Sequence, residues 1–415
     1  MAEIKPFKGI LYNSEEVKDL TLVTAPPYDV ISPDEQERYY HKSTYNIIRL
    51  ILGKELPGNS DTENKYARAA RFFREWLAKG ILKEELQSHL YLYEQQFKIE
   101  SQLKTRRGFI ALMRLEDYSS GKVLPHEKTF PKPKEDRLNL MRACKANFSC
   151  VFGLYADEGK AVGPFLAQEA KKKPVINIAD DEGVTHRFWR ITDPQAIKKI
   201  CEAMCARPIF IADGHHRYGA ALALRDEMRK DPYNYTMICF VDIDDPGLII
   251  LPTHRLIKTP VRDLKLFETY FEVKEFPNKD QMLKEMAAKG KTRHIIGLYN
   301  KKYYALTLKD ERVMDEVVRQ AKPAEWKRLD VTILHFLILE YLLKASEAEG
   351  EIAYTKNADE AIKLVDTGQF QTAFFLNPTQ ISQVKSIASQ KEMMPQKSTY
   401  FYPKLLSGLV MRKIE

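Results

Sequence analysis

The sequence lacks any long apolar run. No stretch approaches the roughly eighteen uninterrupted apolar residues of a membrane-spanning helix. Residues 1–11 carry lysines and no apolar segment of signal-peptide length. Both absences argue against a membrane protein and against secretion, so we expect a cytoplasmic protein.

Cysteine is scarce, and its spacing fits no framework. The chain has five cysteines, an odd number without paired CxxC spacing: Cys144, Cys150, Cys201, Cys205 and Cys239. This pattern indicates neither a disulfide scaffold nor a zinc ribbon and favours a reducing compartment. Cys201 and Cys205 would share one helix face, where small buried hydrophobes are a commoner explanation than metal ligands.

Basic runs and nucleotide signatures are missing as well. The 65 Lys and Arg residues are scattered among 57 Asp and Glu, which leaves a net charge of +8. There is no recognisable helix-turn-helix, so nucleic acid is not an expected partner. There is also no Walker A sequence and no kinase glycine-rich loop, so no adenine pocket is evident.

The length of 415 residues and the order of predicted elements indicate a mixed α/β fold with two domains. The boundaries are placed at 1–255 and 256–415, with a tail that could return to the active site. The clearest unit is a helix at 193–205, a strand at 208–212, a turn, and a helix at 216–229. Further predictions are helices at 66–79, 331–344 and 380–390, strands at 89–99, 108–115, 236–242, 248–251 and 372–376, and a loop-rich stretch with a short helix at 119–147.

The sharpest chemical signal is the turn Asp213-Gly214-His215-His216-Arg217, where an apolar strand stops before a helix rich in small residues. The first helical turn carries a partial positive charge, glycine lets a ligand approach the backbone, and the basic side chains add donors. These features predict an anion site. The alternatives are an aspartate that merely caps the helix and a zinc site, but adjacent histidines on a helix point about a hundred degrees apart.

A second polar cluster lies in the loop-rich stretch. Its candidates are His126, Glu127, Thr129, Asp136, Arg137, Arg142 and Asn147. Glu127 could serve as a general base or a magnesium ligand, and the arginines could hold phosphate oxygens. A solvated, salt-bridged loop explains the same residues equally well.

Three turn-forming segments carry further polar groups. Asp29 is expected to cap a helix that starts near residue 32, and His254 and Arg255, which follow a short strand, are candidates for binding phosphate or substrate. Lys397 and Ser398 are better phosphate candidates, because a lysine beside hydroxyls can hold a phosphate group.

The Asp213–Arg217 turn resembles that of the free L-serine kinases of the ParB/sulfiredoxin superfamily. Over nearly the whole chain, the segments at 26–31, 126–129, 136–137, 213–221, 251–255, 377–379 and 394–405 resemble a widespread prokaryotic family of unknown function that is associated with serine metabolism. The resemblance implies a ParB/sulfiredoxin-like core with added α+β elements, and interconversion of L-serine and O-phospho-L-serine with Mg²⁺. Pyrophosphate, ATP or ADP would be the phosphoryl donor.

The resemblance also implies roles for individual residues. Asp213 would contact the substrate hydroxyl or the metal, Gly214 to Arg217 would hold phosphate, and His216 would take part in catalysis. Glu127 would be the base and a second metal ligand, with Asp29 in reserve.

Other functions stay open at this point. A phosphoserine phosphatase would use the same site with water as acceptor, and a ParB-like nucleic-acid or nucleotide-binding protein is a rival of another class. A sulfiredoxin-like activity ranks last, because none of the five cysteines lies in the turn. The expected partner is a small molecule, L-serine or phosphoserine, and a homodimer is left open.

Overall fold

The computed structural model describes residues 2–99, 101–205, 207–345 and 350–415. The chain forms two compact units. The first contains Met1–Pro125, Thr129–Ile249 and Pro403–Glu415, and the second contains His126–Lys128 and Ile250–Tyr402. The main division therefore falls after residue 249 and not after 255, and residues 403–415 belong to the first unit. The fold is mixed α/β, as predicted.

Over the described residues, the first unit is built on a nine-stranded sheet with the order β6-β11-β8-β12-β5-β4-β10-β9 and with β1 paired to β5. The β11–β6 and β12–β8 pairs are parallel, and the other pairs in this sheet are antiparallel. The strands of this sheet are β1 Ile4–Lys5, β4 Leu90–Ile99, β5 Gln102–Arg114, β6 Val123–Leu124, β8 Val151–Tyr155, β9 Ile176–Ala179, β10 Thr185–Ile191, β11 Ile209–Asp213 and β12 Tyr235–Asp242. Outside it, β2 Ile10–Tyr12 pairs with β3 Leu82–Glu84, and β7 Ala146–Asn147 pairs with the strand Arg412–Lys413.

The helices of the first unit pack around this sheet. They are α1 Pro33–Lys42, α2 Ile48–Ile51, α3 Lys65–Ala78, α4 Pro131–Cys144, α5 Gly163–Glu169, α6 Pro194–Met204 and α7 His215–Met228, with short 3-10 turns at Leu20–Leu22, Tyr28–Val30, Tyr118–Ser120 and Asp231–Asn234. Helix α1 is capped by Ser32 and Glu35 in a capping box, so the predicted cap at Asp29 is wrong.

Helix α4 corrects the prediction of a loop with a short helix at 119–147, because it runs for 14 residues. Pro131 stands in its first turn, where the missing N–H costs nothing. Its buried apolar side chains, Leu138, Leu140 and Cys144, are confined to the second half. The first half shows no apolar periodicity, which is why the sequence pattern underestimated the length of the helix.

The second unit contains a six-stranded antiparallel sheet, counted over the described residues, with the order β15-β17-β16-β19-β14-β18. Strands β13 and β20 form a separate pair. The elements are β13 Ile249–Leu251, β14 His254–Ile257, α8 Lys265–Glu268, β15 Phe271–Phe276, α9 Lys279–Lys289, β16 Ile295–Tyr299, β17 Tyr303–Leu308, α10 Val313–Val317, α11 Ala324–Lys327, α12 Asp330–Thr332, β18 Ile352–Thr355, α13 Ala358–Asp366, β19 Thr372–Phe375, α14 Ile381–Ser389 and β20 Tyr400–Tyr402.

The apolar segment predicted as a buried helix at 331–344 is helical, but most of it, Ile333–Leu342, is a π-helix. Its side chains Ile333, Leu334, Leu337, Ile338 and Leu339 are buried. Among the helices of the described residues, none combines the length and apolar character needed to cross a bilayer.

Candidate functional site

The predicted strand-to-helix turn is formed by β11, Gly214 and α7. Gly214 stands at the N-cap of α7 with φ 86° and ψ 29°, the left-handed region that glycine adopts without strain. The pairing of β11 with β8 shifts register between Ile211 and Asp213, and such an irregularity re-aims the side chain that follows. Asp213 therefore ends the strand directly at the positive end of a 14-residue helix.

Arg217 folds back over this turn. A Cβ added at Gly214 would lie 2.9 Å from Arg217 Nε and 3.0 Å from its Cζ. The Arg217 Nη1 atom donates to the carbonyl oxygen of Cys150, and Nη2 lies 3.6 Å from Asp213 Oδ2. Glycine at position 214 is therefore required for two reasons: the positive φ angle, and the close approach of the Arg217 guanidinium.

Asp213 carries a fixed negative charge between two cations. Its Oδ1 accepts a hydrogen bond from Gly214 N at 2.9 Å, and its Oδ2 lies 3.2 Å from Lys404 Nζ. Burial raises the pKa of the Asp213 carboxyl, but the charges of Lys404 and Arg217 outweigh burial and hold the pKa well below its ordinary value. The carboxylate is ionised at neutral pH and is a poor proton acceptor.

Lys404 is the site residue that sequence reasoning missed. Its backbone is held from the central sheet, because Gln95 Nε2 donates to the Lys404 carbonyl at 2.8 Å and Arg106 donates to the carbonyl of Pro403. Lys404 lies within the 394–405 segment that carries the family resemblance, so the signal was present in the sequence. Nothing local, however, linked this lysine to a strand end almost 200 residues earlier.

The two histidines of the turn have different environments. His215 is buried at 3% exposure, and its electrostatic interaction with Asp213 helps to lower the pKa of that carboxyl. His216 is half-buried, and its Nε2 accepts a hydrogen bond from Phe130 N at 3.0 Å. His216 Nε2 therefore holds the backbone just before α4, and its predicted catalytic role stays a prediction.

Asp136 and Arg137 join α4 to the N-terminal helices. The Asp136 carboxylate accepts from Tyr66 OH at 2.8 Å, lies 2.8 Å from Lys65 Nζ and pairs with Arg137. Arg137 also donates to the carbonyl of Ile51 at 2.7 Å and stacks 3.7 Å from the centre of the Tyr28 ring. These contacts give both residues a structural role, and phosphate binding by Arg137 stays a prediction.

The other predicted residues of this stretch lie in two places. Asn147 accepts from Arg412 at 3.3 Å, and together with Arg137 and Arg217 it lines a cavity of about 40 Å³, room for about one water molecule. Arg142 pairs with Glu227 at 2.6 Å on the surface. Arg142, Thr129 and Asp136 line an open cleft of about 920 Å³.

In the second unit, four predicted residues surround the loop that precedes β20. His126 Nε2 is 2.9 Å from Thr399 Oγ1, and Glu127 Oε1 accepts from Lys397 N at 3.2 Å. Lys397 itself has a positive φ of 54°, and Ser398 Oγ donates to the carbonyl of Pro395 at 2.5 Å. The structure thus brings together residues that lie some 270 positions apart in the sequence.

His254 and Arg255 are buried in β14 of the same unit, at 3% and 1% exposure. Burial, with a smaller effect of the Arg255 charge, lowers the pKa of His254 to about 4, so its ring is neutral at pH 7. His254 Nδ1 accepts from Leu376 N at 3.3 Å. Arg255 Nη2 donates to the carbonyls of Gln396 at 3.1 Å and Lys397 at 3.0 Å. His254 therefore holds the backbone at Leu376 in place, and Arg255 holds the loop at Gln396 and Lys397.

The described residues contain no group of three or more His, Cys, Asp or Glu side chains placed to hold a metal ion. Asp213 could still supply one carboxylate oxygen to Mg²⁺, whose other ligands would be phosphate oxygens and water. Asp213 and Glu127, the two predicted metal ligands, belong to different units. The five cysteines are free thiols.

These features define a mixed α/β protein with an ionised aspartate between two fixed cations at a strand-to-helix turn. The chain belongs to the family described as protein of unknown function (DUF1015), whose model matches residues 4–332. No curated protein matches the sequence significantly.

Three solved structures resemble this chain at low similarity. A conserved hypothetical protein from Pyrococcus furiosus is 16% identical with a TM-score of 0.34, covering 71% of this chain and 92% of that one. A free serine kinase in complex with AMP is 15% identical with a TM-score of 0.35, covering 70% and 86%. A mutant free serine kinase in complex with ADP is 14% identical with a TM-score of 0.36, covering 70% and 87%. Sequence identities of 14–16% and TM-scores of 0.34–0.36 do not allow the activity of these proteins to be assigned to this chain.

Proposed function

We propose that this protein is a phosphotransferase that acts on free L-serine and forms O-phospho-L-serine. The observation that carries the proposal is the Asp213 carboxylate, held ionised by Lys404 and Arg217 at the N-terminus of α7. The turn is also the segment that resembles the free L-serine kinases. The ParB/sulfiredoxin-like assignment of the core is part of the same proposal.

The turn suits phosphoryl transfer because that reaction depends mainly on positioning and charge neutralisation. The helix N-terminus, Arg217 and Lys404 would hold the oxygens of the moving phosphoryl group. Asp213 would orient the serine hydroxyl or take part in binding Mg²⁺. Its low pKa makes it unsuited to accept the hydroxyl proton. Glu127 stays the candidate base, which the variant Glu127→Gln would test.

Phosphorus NMR tests the reaction and identifies the donor. Purified protein with Mg²⁺ and L-serine would be given pyrophosphate, ATP, ADP or no donor, and a further sample would contain phosphoserine alone. A phosphoserine signal with one donor supports the proposal and names that donor. Phosphate released only from phosphoserine would make the protein a phosphatase. No reaction in any sample would contradict both functions and would return attention to a binding protein.

Replacing Lys404 tests the site. Lys404→Met removes one of the two cations beside Asp213, and we expect kcat/KM for phosphoserine formation to fall by roughly 100-fold or more, the usual effect of losing one charge-stabilising group. Lys413→Met changes an exposed lysine of the same tail and should leave the rate unchanged. Equal rates in the two variants would contradict the proposed role of the turn.

A further inference from the structure

The second unit contains a cavity of about 770 Å³ that the proposed function does not use. Its walls include Thr253, Arg255, Asn377 and Thr379. The loop carrying the last two is fixed, because Asn377 Nδ2 donates to the carbonyl of Met286 at 3.1 Å and Thr379 Oγ1 donates to that of Ser398 at 2.7 Å. The cavity is therefore preformed and is of the size of small-molecule sites.

Arg255 is a buried cation in this wall without a counter-ion. Arg255 is 1% exposed, and its guanidinium donates hydrogen bonds to backbone carbonyl oxygens. Among the described residues, no carboxylate lies within ion-pair distance of it, and its Nε has no hydrogen-bond partner. A buried cation without a counter-ion is costly even when carbonyl oxygens accept its hydrogen bonds, so a bound anion would stabilise this position.

Thr253 presents a second polar group in the same wall. It is 8% exposed, and its Oγ1 has no hydrogen-bond partner among the residues that the structure describes. A hydroxyl can donate to an anion or accept from a ligand, and leaving it buried without either is unfavourable. Arg255 and Thr253 thus each place a polar atom without a hydrogen-bond partner among the described residues in the wall of the same cavity.

The charge of the remaining wall favours an anion with more than one negative charge. Lys291 and Lys309 add cations, Arg293 is paired with Glu272 at 3.3 Å, and Glu311 and Asp330 are the acids of the wall. Both acids are engaged by His294, at 3.5 Å and 2.8 Å. No carboxylate of the described residues lies within ion-pair distance of Lys291.

We propose that this cavity binds the phosphate or diphosphate group of a small molecule, with Arg255 and Thr253 as the inner donors and Lys291 at the exposed end. The proposal depends on the second unit alone and would stand even if the serine kinase activity failed. The same chemistry is offered by inorganic phosphate, by pyrophosphate and by the diphosphate of ADP. The experiment below separates these sources.

Isothermal titration calorimetry of the full chain with phosphate, pyrophosphate or ADP tests the proposal. We expect pyrophosphate or ADP to bind, and Thr253→Val to weaken that binding at least 5-fold. Thr253→Ser keeps the hydroxyl and should retain the affinity. Because the Thr253 hydroxyl has no partner in the protein, Thr253→Val should melt at or above the wild-type temperature. A loss of affinity therefore could not be ascribed to poor folding.

Lys291→Met should also weaken binding, whereas Lys284→Met, an exposed lysine outside the cavity, should not. If no anion binds, the proposal is wrong. The proposal is also wrong if Thr253→Val and Lys291→Met both bind the anion as tightly as wild type does. Loss of binding in Lys404→Met alone would place the bound anion at the Asp213 turn and would contradict the proposal in the same way. A failed kinase assay would leave these results unaffected.

Discussion

The pKa values of two buried carboxyl groups in this protein shift in opposite directions from the ordinary value, because different cations lie beside them. Burial raises the pKa of both Asp213 and Asp330. At Asp213 the permanent charges of Lys404 and Arg217 outweigh burial, whereas at Asp330 the single partner His294 does not. Two fixed cations thus keep Asp213 ionised, as its proposed role of orienting the substrate without exchanging protons requires.

Asp136 allows a quantitative test of this electrostatic reasoning. Burial opposes ionisation, but Arg137 and Lys65 lower the pKa of Asp136 to about 2. A folded-state pKa below the unfolded value stabilises the protein above the unfolded pKa, and the contribution is lost as the pH falls toward the folded pKa. The shift corresponds to about 2 kcal/mol. We therefore expect Asp136→Asn to be less stable by about 2 kcal/mol at pH 7.

Urea unfolding followed by tryptophan fluorescence between pH 7 and pH 2 would measure this difference. The difference in free energy of unfolding between wild type and Asp136→Asn should become smaller as the pH falls from about 4 to about 2. Asp61→Asn, at an exposed aspartate, is the control and should follow wild type throughout. A gap that stays constant over the whole range would show that Asp136 acts by packing and not by charge.

Among the elements, the β11–Gly214–α7 turn was predicted to within about one residue at each boundary, since strand 208–212 is observed as Ile209–Asp213 and helix 216–229 as His215–Met228. An apolar strand, a glycine and a helix of small residues are local signals. Helix α4 shows the opposite case, because Asp136 in its first half contacts Tyr66 and Lys65 of another helix, and no local pattern records such contacts.

Gly214→Ala tests the turn. Alanine would have to adopt a positive φ, at a cost of about 1–2 kcal/mol, and its Cβ would meet the Arg217 guanidinium at 2.9–3.0 Å. Gly183→Ala is the matched control, because Gly183 has φ +78° and nothing within 4 Å of a new Cβ. We expect both variants to lose stability in thermal melts and Gly214→Ala alone to lose phosphoserine formation. Equal activity in the two would argue against a role for the Arg217 position.

At the scale of the whole molecule, both units are discontinuous in sequence. Residues 126–128 lie in the second unit, and residues 403–415 lie in the first. The tail is bound along its length, because Ser407 bridges to Ala25, Met411 bridges to Ile10, and the strand Arg412–Lys413 pairs with β7. Lys404 reaches Asp213 only because this tail belongs to the first unit.

Removing residues 403–415 should therefore unfold the first unit. Leu409, Val410 and Met411 are each at most 3% exposed, and their burial contributes roughly 5–9 kcal/mol, comparable with the whole stability of a domain. Hydrogen exchange of β4 and β5 would measure the effect, with a variant lacking only Glu415 as control. Native protection of these strands in the shortened chain would contradict this prediction.

The sequence by itself determined the mixed α/β class, several of the helices and strands, and the turn at 213–217, because hydrophobic periodicity, glycine and helix-start signals are local. Only the tertiary structure decided which charges meet. Lys404 pairs with Asp213, Arg137 is held by Asp136 and Ile51, and Arg255 is buried with no carboxylate of the described residues as its counter-ion. The physical reason is that ion pairs and burial depend on distances between segments far apart in the chain, and no local pattern encodes those distances.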